Sequence, residues 1–295
     1  MKNVNVRKFL LLYILTFYGI LSFSLEIFMK NCALICFALA IMTSSYADDV
    51  KPKVSICQES TQQFTKQVIQ EKIEEARALV SKIVHNDEIV MTQFGLLTEE
   101  LIIAYCREKG VTLNEVEEIL QAMQFSAEKH RFQTRKNDRR TPYVSHCFEV
   151  AYKVMSVGEV RDLTSILASL LHDTLKDTQT TVEEIEKKFG VQVAKVVDEL
   201  TGDRKISLQE KKRQETINAS YRSKPAAIVQ LADTLCNTLE LLNHPPKGWS
   251  RKYIDQYFQW AQTVVDRLPS VNSKLKEAVL LTLNQYWETQ AASPD

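Results

Sequence analysis

Along most of this chain apolar residues recur every three or four positions, the spacing that gathers them on one side of a helix. Val68, Ile69, Ile73, Ala76, Leu79, Val80 and Ile83 form one such stripe, which predicts a helix over 64–84. A second is expected over 97–109, closed by Gly110. Asn114 reads as the cap of a third, which runs to about residue 136. Thr141-Pro142, a capping residue before a proline, opens a fourth whose stripe is Val144, Phe148, Ala151 and Met155. Residues 161–177 read as one continuous helix. Thr180-Thr-Val-Glu183 and Ser207-Leu-Gln-Glu210 have capping-box spacing, and the helix opened by the first ends at Gly190, before another over 191–200. Helices over 225–242, 250–268 and 272–289 complete the pattern, and no segment alternates convincingly as a strand. The fold class expected is all-α: a helical extension over 48–115, then a helical bundle over 116–295.

The first 47 residues follow a different rule. Residues 9–25 are almost wholly apolar, and a second apolar run covers 32–42, with Glu26, Met29 and Lys30 between them. Read from Met29, a basic start, an apolar stretch and the small-residue exit Ser45-Tyr46-Ala47 have the anatomy of a secretory signal peptide cleaved near Ala47. The expected location is then periplasmic or secreted. The alternative is an uncleaved membrane leader, although the second run is short for a span.

Composition supports the helical reading, because 295 residues hold only 7 Gly and 7 Pro. Residues 1–47 carry four basic residues and one acidic, so without them 37 and 37 charges become 33 and 36, a net −3. No nucleic-acid partner is implied by that balance. Four cysteines remain: Cys147 and Cys236 on apolar faces, where a thiol acts as a small apolar side chain, and Cys57 and Cys106, which could pair.

Candidate chemistry sits at His172-Asp173, behind the apolar run Ser165-Ile-Leu-Ala-Ser-Leu-Leu. An imidazole and a carboxylate taken out of water cost several kcal/mol (roughly) unless something compensates. A divalent cation compensates best, and His146 and Asp233, each on a separate apolar helix, complete a ligand set. Helical spacing puts Lys176 and Asp177 one turn beyond the pair, where side chains can handle an activated water. Asn237 lies one turn beyond Asp233, suited to orient that ligand. Nitrogen and carboxylate donors without thiolate suit Mn²⁺, Fe²⁺ or Zn²⁺.

Longer motifs run through 116–290 in order: Glu128-Lys-His-Arg131, Arg135-Lys136, Thr141-Pro-Tyr-Val-Ser-His146, Leu170-Leu-His-Asp-Thr-Leu-Lys-Asp177, Leu231-Ala-Asp-Thr-Leu-Cys-Asn237 and Gly248-Trp-Ser with Tyr257-Phe-Gln-Trp260. Together they resemble the hydrolase domain of the RelA/SpoT family, above all its small hydrolase-only branch. The resemblance implies an all-α HD domain that binds Mn²⁺ and removes the 3′-pyrophosphate of guanosine tetra- or pentaphosphate. By position it makes His146, His172, Asp173 and Asp233 the metal ligands. It puts Arg135 beside the guanine, Lys136 on phosphate, and Asn237 and Tyr257 in the nucleotide pocket.

One position departs from the family motif, His-Asp-x-x-Glu-Asp, whose Glu is here Lys176. A protonated lysine cannot take a proton from water, so Lys176 is expected to limit hydrolysis and a glutamate restored there to speed it. Thr234 also replaces a lysine common in the family. Two readings follow: a metal-dependent phosphohydrolase of a purine nucleotide, or a protein that holds metal and nucleotide without turnover. For the first, guanosine tetraphosphate leads and NADPH is the alternative substrate.

Overall fold

The computed structural model describes residues 66–105, 112–137, 139–203 and 205–292, all within the second of the two units, Thr65–Asp295, into which the chain divides. The expected leader over 1–47 and the pair Cys57 and Cys106 lie outside the described residues. Among those described there is no strand, only an isolated bridge between Thr134 and Pro142. No described helix is long and apolar enough to cross a membrane.

The chain forms α1 (66–83), α2 (Glu88–Tyr105), α3 (Leu113–His130), α4 (Val144–Ser156), α5 (Leu163–Leu171) and the single turn α6 (Thr174–Asp177). Then come α7 (Val182–Phe189), α8 (Val191–Thr201), α9 (Leu208–Asn218), α10 (Lys224–Asn243), α11 (Arg251–Arg267) and α12 (Ser273–Ala292). The third helix is capped by Thr112 rather than Asn114. Its hydroxyl accepts from the Glu115 amide while Glu115 accepts from the Thr112 amide, a reciprocal pair that Asn114 cannot form from inside the helix. That helix stops at His130, six residues early, because 131–143 turns back on itself. Arg135 donates its amide to Thr141 O at 2.8 Å, and Tyr143 donates to Gln133 O at 2.8 Å.

The helix expected over 161–177 is broken at His172 and Asp173, which separate α5 from α6. Asp173 sits at φ −96°, ψ −4°, and Thr174 Oγ1 donates to the Leu171 carbonyl at 2.6 Å within the break. The apolar period passes through the break unchanged, which is why sequence reads it as continuous.

Helices α4, α5 and α10 pack on one another at the centre, with α3 and α8 against α5, α2 against α4 and α12 against α10. Phe148, Met155, Leu167, Leu170, Val229 and Leu231 are among the residues sealed between them. One apolar core runs on into α1 and α2 through Val80, Phe94 and Leu97. Each fully buried large apolar side chain contributes about 1.5–3 kcal/mol. The three helices that carry the expected ligands are therefore the three best held.

Candidate active site

His146 lies on the first turn of α4, His172 and Asp173 in the break after α5, and Asp233 midway along α10. One donor atom each from His146, His172 and Asp233 falls within 4.8 Å of the others. Asp233 Oδ1 is 2.9 Å from His146 Nε2 and 3.7 Å from His172 Nε2. Asp173 Oδ2 joins them at 3.1 Å from His172 Nε2 and 3.8 Å from His146 Nε2. Both Nε2 atoms are buried, yet neither makes a hydrogen bond of acceptable geometry. His172 Nδ1 lies 2.8 Å from Ser169 O, and a carbonyl only accepts, so Nδ1 carries a proton and Nε2 is the nitrogen left to face a cation. Two orphaned nitrogens and two carboxylates aimed at one point are what a divalent cation satisfies, and the residues fit one.

The electrostatics agree. Burial lowers the His146 imidazole, helped by the positive Arg135. Burial also pulls His172 down, but Asp173 and Asp233 outweigh it and hold this imidazole well above its ordinary value. Asp173 and Asp233 stay ionised against the same burial, through His172, Lys176 and His146. The positive charge a cation would bring is otherwise carried by His172, so binding a cation releases that proton.

Around this point stands a second ring of groups. Tyr143 Oη lies 2.7 Å from Asp173 Oδ2 and 2.9 Å from Asp177 Oδ2. Burial, then Asp173 and Asp177, push its phenol up, so it keeps its proton as the donor between the two carboxylates. His130 stacks on the Tyr143 ring at 4.9 Å and holds Gln133, whose amide donates to Asp177 O at 2.6 Å. Tyr143→Phe is expected to weaken metal affinity by about 10–100-fold, the usual cost of losing a group that orients a ligand. Titration of metal into stripped protein measures it, and unchanged affinity would show that the phenol orients nothing.

The cluster forms the floor of a cavity of about 750 Å³, ample for a nucleotide. Arg135, Lys136, Lys176, Asp177, Asn237 and Tyr257 all line it, so every sequence-predicted site residue reaches one space. Arg135 is clamped: its guanidinium binds Glu240 through Nε and Nη2, and Nη2 donates to Asn237 Oδ1 at 2.6 Å. Asn237 Nδ2 in turn donates to Asp233 Oδ1 at 2.6 Å, the orienting contact its spacing predicts. Asn137 Nδ2 donates to Glu240 at 2.8 Å, pinning the 131–143 loop to α10. Lys136 stays exposed at the rim. Lys176 reaches back to Asp173 Oδ1 at 3.2 Å while 47% of its side chain remains open. Cys147 and Cys236 are buried free thiols, as expected.

Tyr143, Glu240 and Glu215 also belong to the site and were not singled out by sequence. Tyr143 had a signal available, since it lies three residues before His146 in the same motif. Glu240 and Glu215 had none, because their partners come from distant segments.

Comparison with known proteins accords with this geometry. A family model described as HD domain matches residues 122–257. The mouse (Mus musculus) guanosine-3′,5′-bis(diphosphate) 3′-pyrophosphohydrolase MESH1 is 40% identical over 166 residues, 56% of this chain and 93% of that protein. The Xenopus tropicalis protein of the same name is 43% identical over 158 residues, 54% of this chain and 88% of its own length. A solved structure of a metazoan ortholog of SpoT that hydrolyzes ppGpp superposes with a TM-score of 0.56 at 37% identity. It covers 57% of this chain and 95% of that one.

Proposed function

This chain belongs to the RelA/SpoT-type HD-domain hydrolases, in their small hydrolase-only branch, and from that premise we propose that it removes the 3′-pyrophosphate of guanosine tetraphosphate. The observation that carries the reading is the pair of buried, unpaired Nε2 atoms facing Asp173 and Asp233 beneath a nucleotide-sized cavity. His146, His172, Asp173 and Asp233 would hold the cation, and Mn²⁺ is the choice that the mixed nitrogen and oxygen donors and the resemblance favour. When bound, it supplies Lewis acidity toward a phosphoryl oxygen and lowers the pKa of a bound water. Asp173 and Asp177 are held by the one phenol of Tyr143, which fixes the carboxylates beside the reacting position. Glu240 and Asn237 fix the plane of the Arg135 guanidinium, which offers its flat face to a purine ring. Lys136 and Lys176, both on the lining, would meet phosphate, and Tyr257 is part of the wall.

A second reading is a protein that binds nucleotide and metal without turning nucleotide over, and Lys176 at the family's Glu position favours it. Manganese-loaded protein should be given guanosine tetraphosphate, guanosine pentaphosphate, NADPH and ATP, with released pyrophosphate and phosphate followed. The hydrolase reading expects manganese-dependent pyrophosphate from the guanosine nucleotides. Saturable nucleotide binding with no product from any of the four would leave only the second reading.

A further inference from the structure

Glu215 is a carboxylate on the cavity wall that neither the family motif nor the ligand set accounts for, and unlike Glu240 it is not paired with Arg135. It comes from α9, a polar helix with no buried residue. The structure holds it in place. Gln230 Nε2 donates to Glu215 Oε1 at 2.8 Å, and Gln230 Oε1 accepts from Arg222 Nε at 3.1 Å. Glu215 Oε2 makes no hydrogen bond among the described residues. Gln230 lies three residues before Asp233 on α10, so the carboxylate hangs one turn from a metal ligand, on the same helix face. Its charge acts on Lys176, and that of Lys176 acts on it. Burial, the largest influence, pushes the Glu215 carboxyl up from its ordinary value.

A fixed negative charge in a cavity for a polyphosphate repels the ligand. Holding it there with Gln230 and Arg222, rather than letting it turn to solvent, needs a reason. The family motif puts a carboxylate at the position of Lys176, and this chain has a cation there with the Glu215 carboxylate lining the same cavity. We propose that Glu215 supplies from α9 the carboxylate that Lys176 displaces, taking the proton of the attacking water while Lys176 faces the phosphoryl oxygens. This rests on the hydrolase reading. In the step, the water oxygen bonds to the 3′-phosphorus as its proton passes to Glu215. The bond from phosphorus to the ribose 3′ oxygen breaks with its electron pair on that oxygen. Glu215 then returns the proton to the 3′ oxygen, and pyrophosphate leaves.

Glu215→Gln keeps size and can keep the bond to Gln230, so the fold and the metal content should hold. With manganese-loaded full-length protein and guanosine tetraphosphate, kcat should fall by about 10²-fold or more while KM changes only a few-fold. Glu215→Asp should recover part of the loss. A second readout needs no turnover: Glu215→Gln should bind inorganic pyrophosphate more tightly in metal-stripped protein, because a like charge is gone, and Lys176→Gln more weakly. An active wild type whose kcat and pyrophosphate affinity ignore Glu215→Gln overturns the role of Glu215 and leaves the hydrolase reading standing. A wild type inert on every nucleotide overturns the hydrolase reading, and the proton-transfer role falls with it, whatever pyrophosphate does.

Discussion

Asp233→Ala should yield protein that retains no metal and no measurable nucleotide hydrolysis, the largest effect expected of a single substitution here. Asp233 Oδ1 approaches both imidazoles, at 2.9 and 3.7 Å, so its loss removes one of the two anions the cluster shares. Asp173 cannot cover for it, since it is already counted among the ligands and one carboxylate does not replace two. The fold should survive, because the Asp233 side chain keeps 28% of its surface open at the cavity, outside the sealed core. Elemental analysis of protein purified without chelator, beside circular dichroism, separates lost metal from lost structure. Lys176→Ala is the control: it removes a neighbour and no ligand, so metal should stay. Near-stoichiometric metal in folded Asp233→Ala protein would overturn the assignment of Asp233.

The second large effect is an exchange rather than a loss. From sequence alone a glutamate restored at 176 is expected to speed hydrolysis. Glu215 changes that expectation for the single substitution. Lys176 is held up first by Asp173, then by Asp177, Asp233 and Glu215. Lys176→Glu would remove the cation these carboxylates share and add one more negative charge. Two like charges about 4 Å apart repel by about 4 kcal/mol at the effective dielectric of a protein surface. Even a third of that in the barrier slows the reaction about tenfold. The single variant should therefore be slower than wild type by about tenfold or more, and Lys176→Glu with Glu215→Gln should regain at least the wild-type rate. Steady-state kinetics on the four proteins of that cycle decides the matter. A single Lys176→Glu variant faster than wild type would mean that the lysine obstructs the reaction and has no partner in Glu215.

The cluster of His146, His172, Asp173 and Asp233 was legible because its members are residue types that do not belong where they stand. A histidine and an aspartate behind Ile166, Leu167, Leu170 and Leu171 demand a counter-charge, and only two other positions on apolar helices offered one. The helix order was legible for the same reason, since each apolar stripe needs a core. The break at His172 was not, because Leu171 and Leu175 keep the helical period across it. Cap positions slipped by a residue or two, as with Thr112 for Asn114, because several polar residues in a row could each cap. Glu240 and Glu215 were illegible for a different reason. Arg135 and Glu240 are 105 residues apart, and a glutamate among polar neighbours looks the same in sequence whether it faces water or a cavity. What distinguishes them is the partner, and the partner is fixed only by packing.

Two hydrogen bonds of 2.6 Å, Arg135 to Asn237 and Asn237 to Asp233, join the wall of the cavity to its floor. A base that repositions Arg135 thereby shifts the carboxylate presented to the cation, and a cation that draws Asp233 inward stiffens the arginine through the same amide. Thermodynamic linkage makes this exchange symmetrical: whatever factor the cation adds to nucleotide affinity, the nucleotide adds to cation affinity. An affinity for either ligand alone is then only half of a description, and Asn237 is the residue through which the two halves are written into each other.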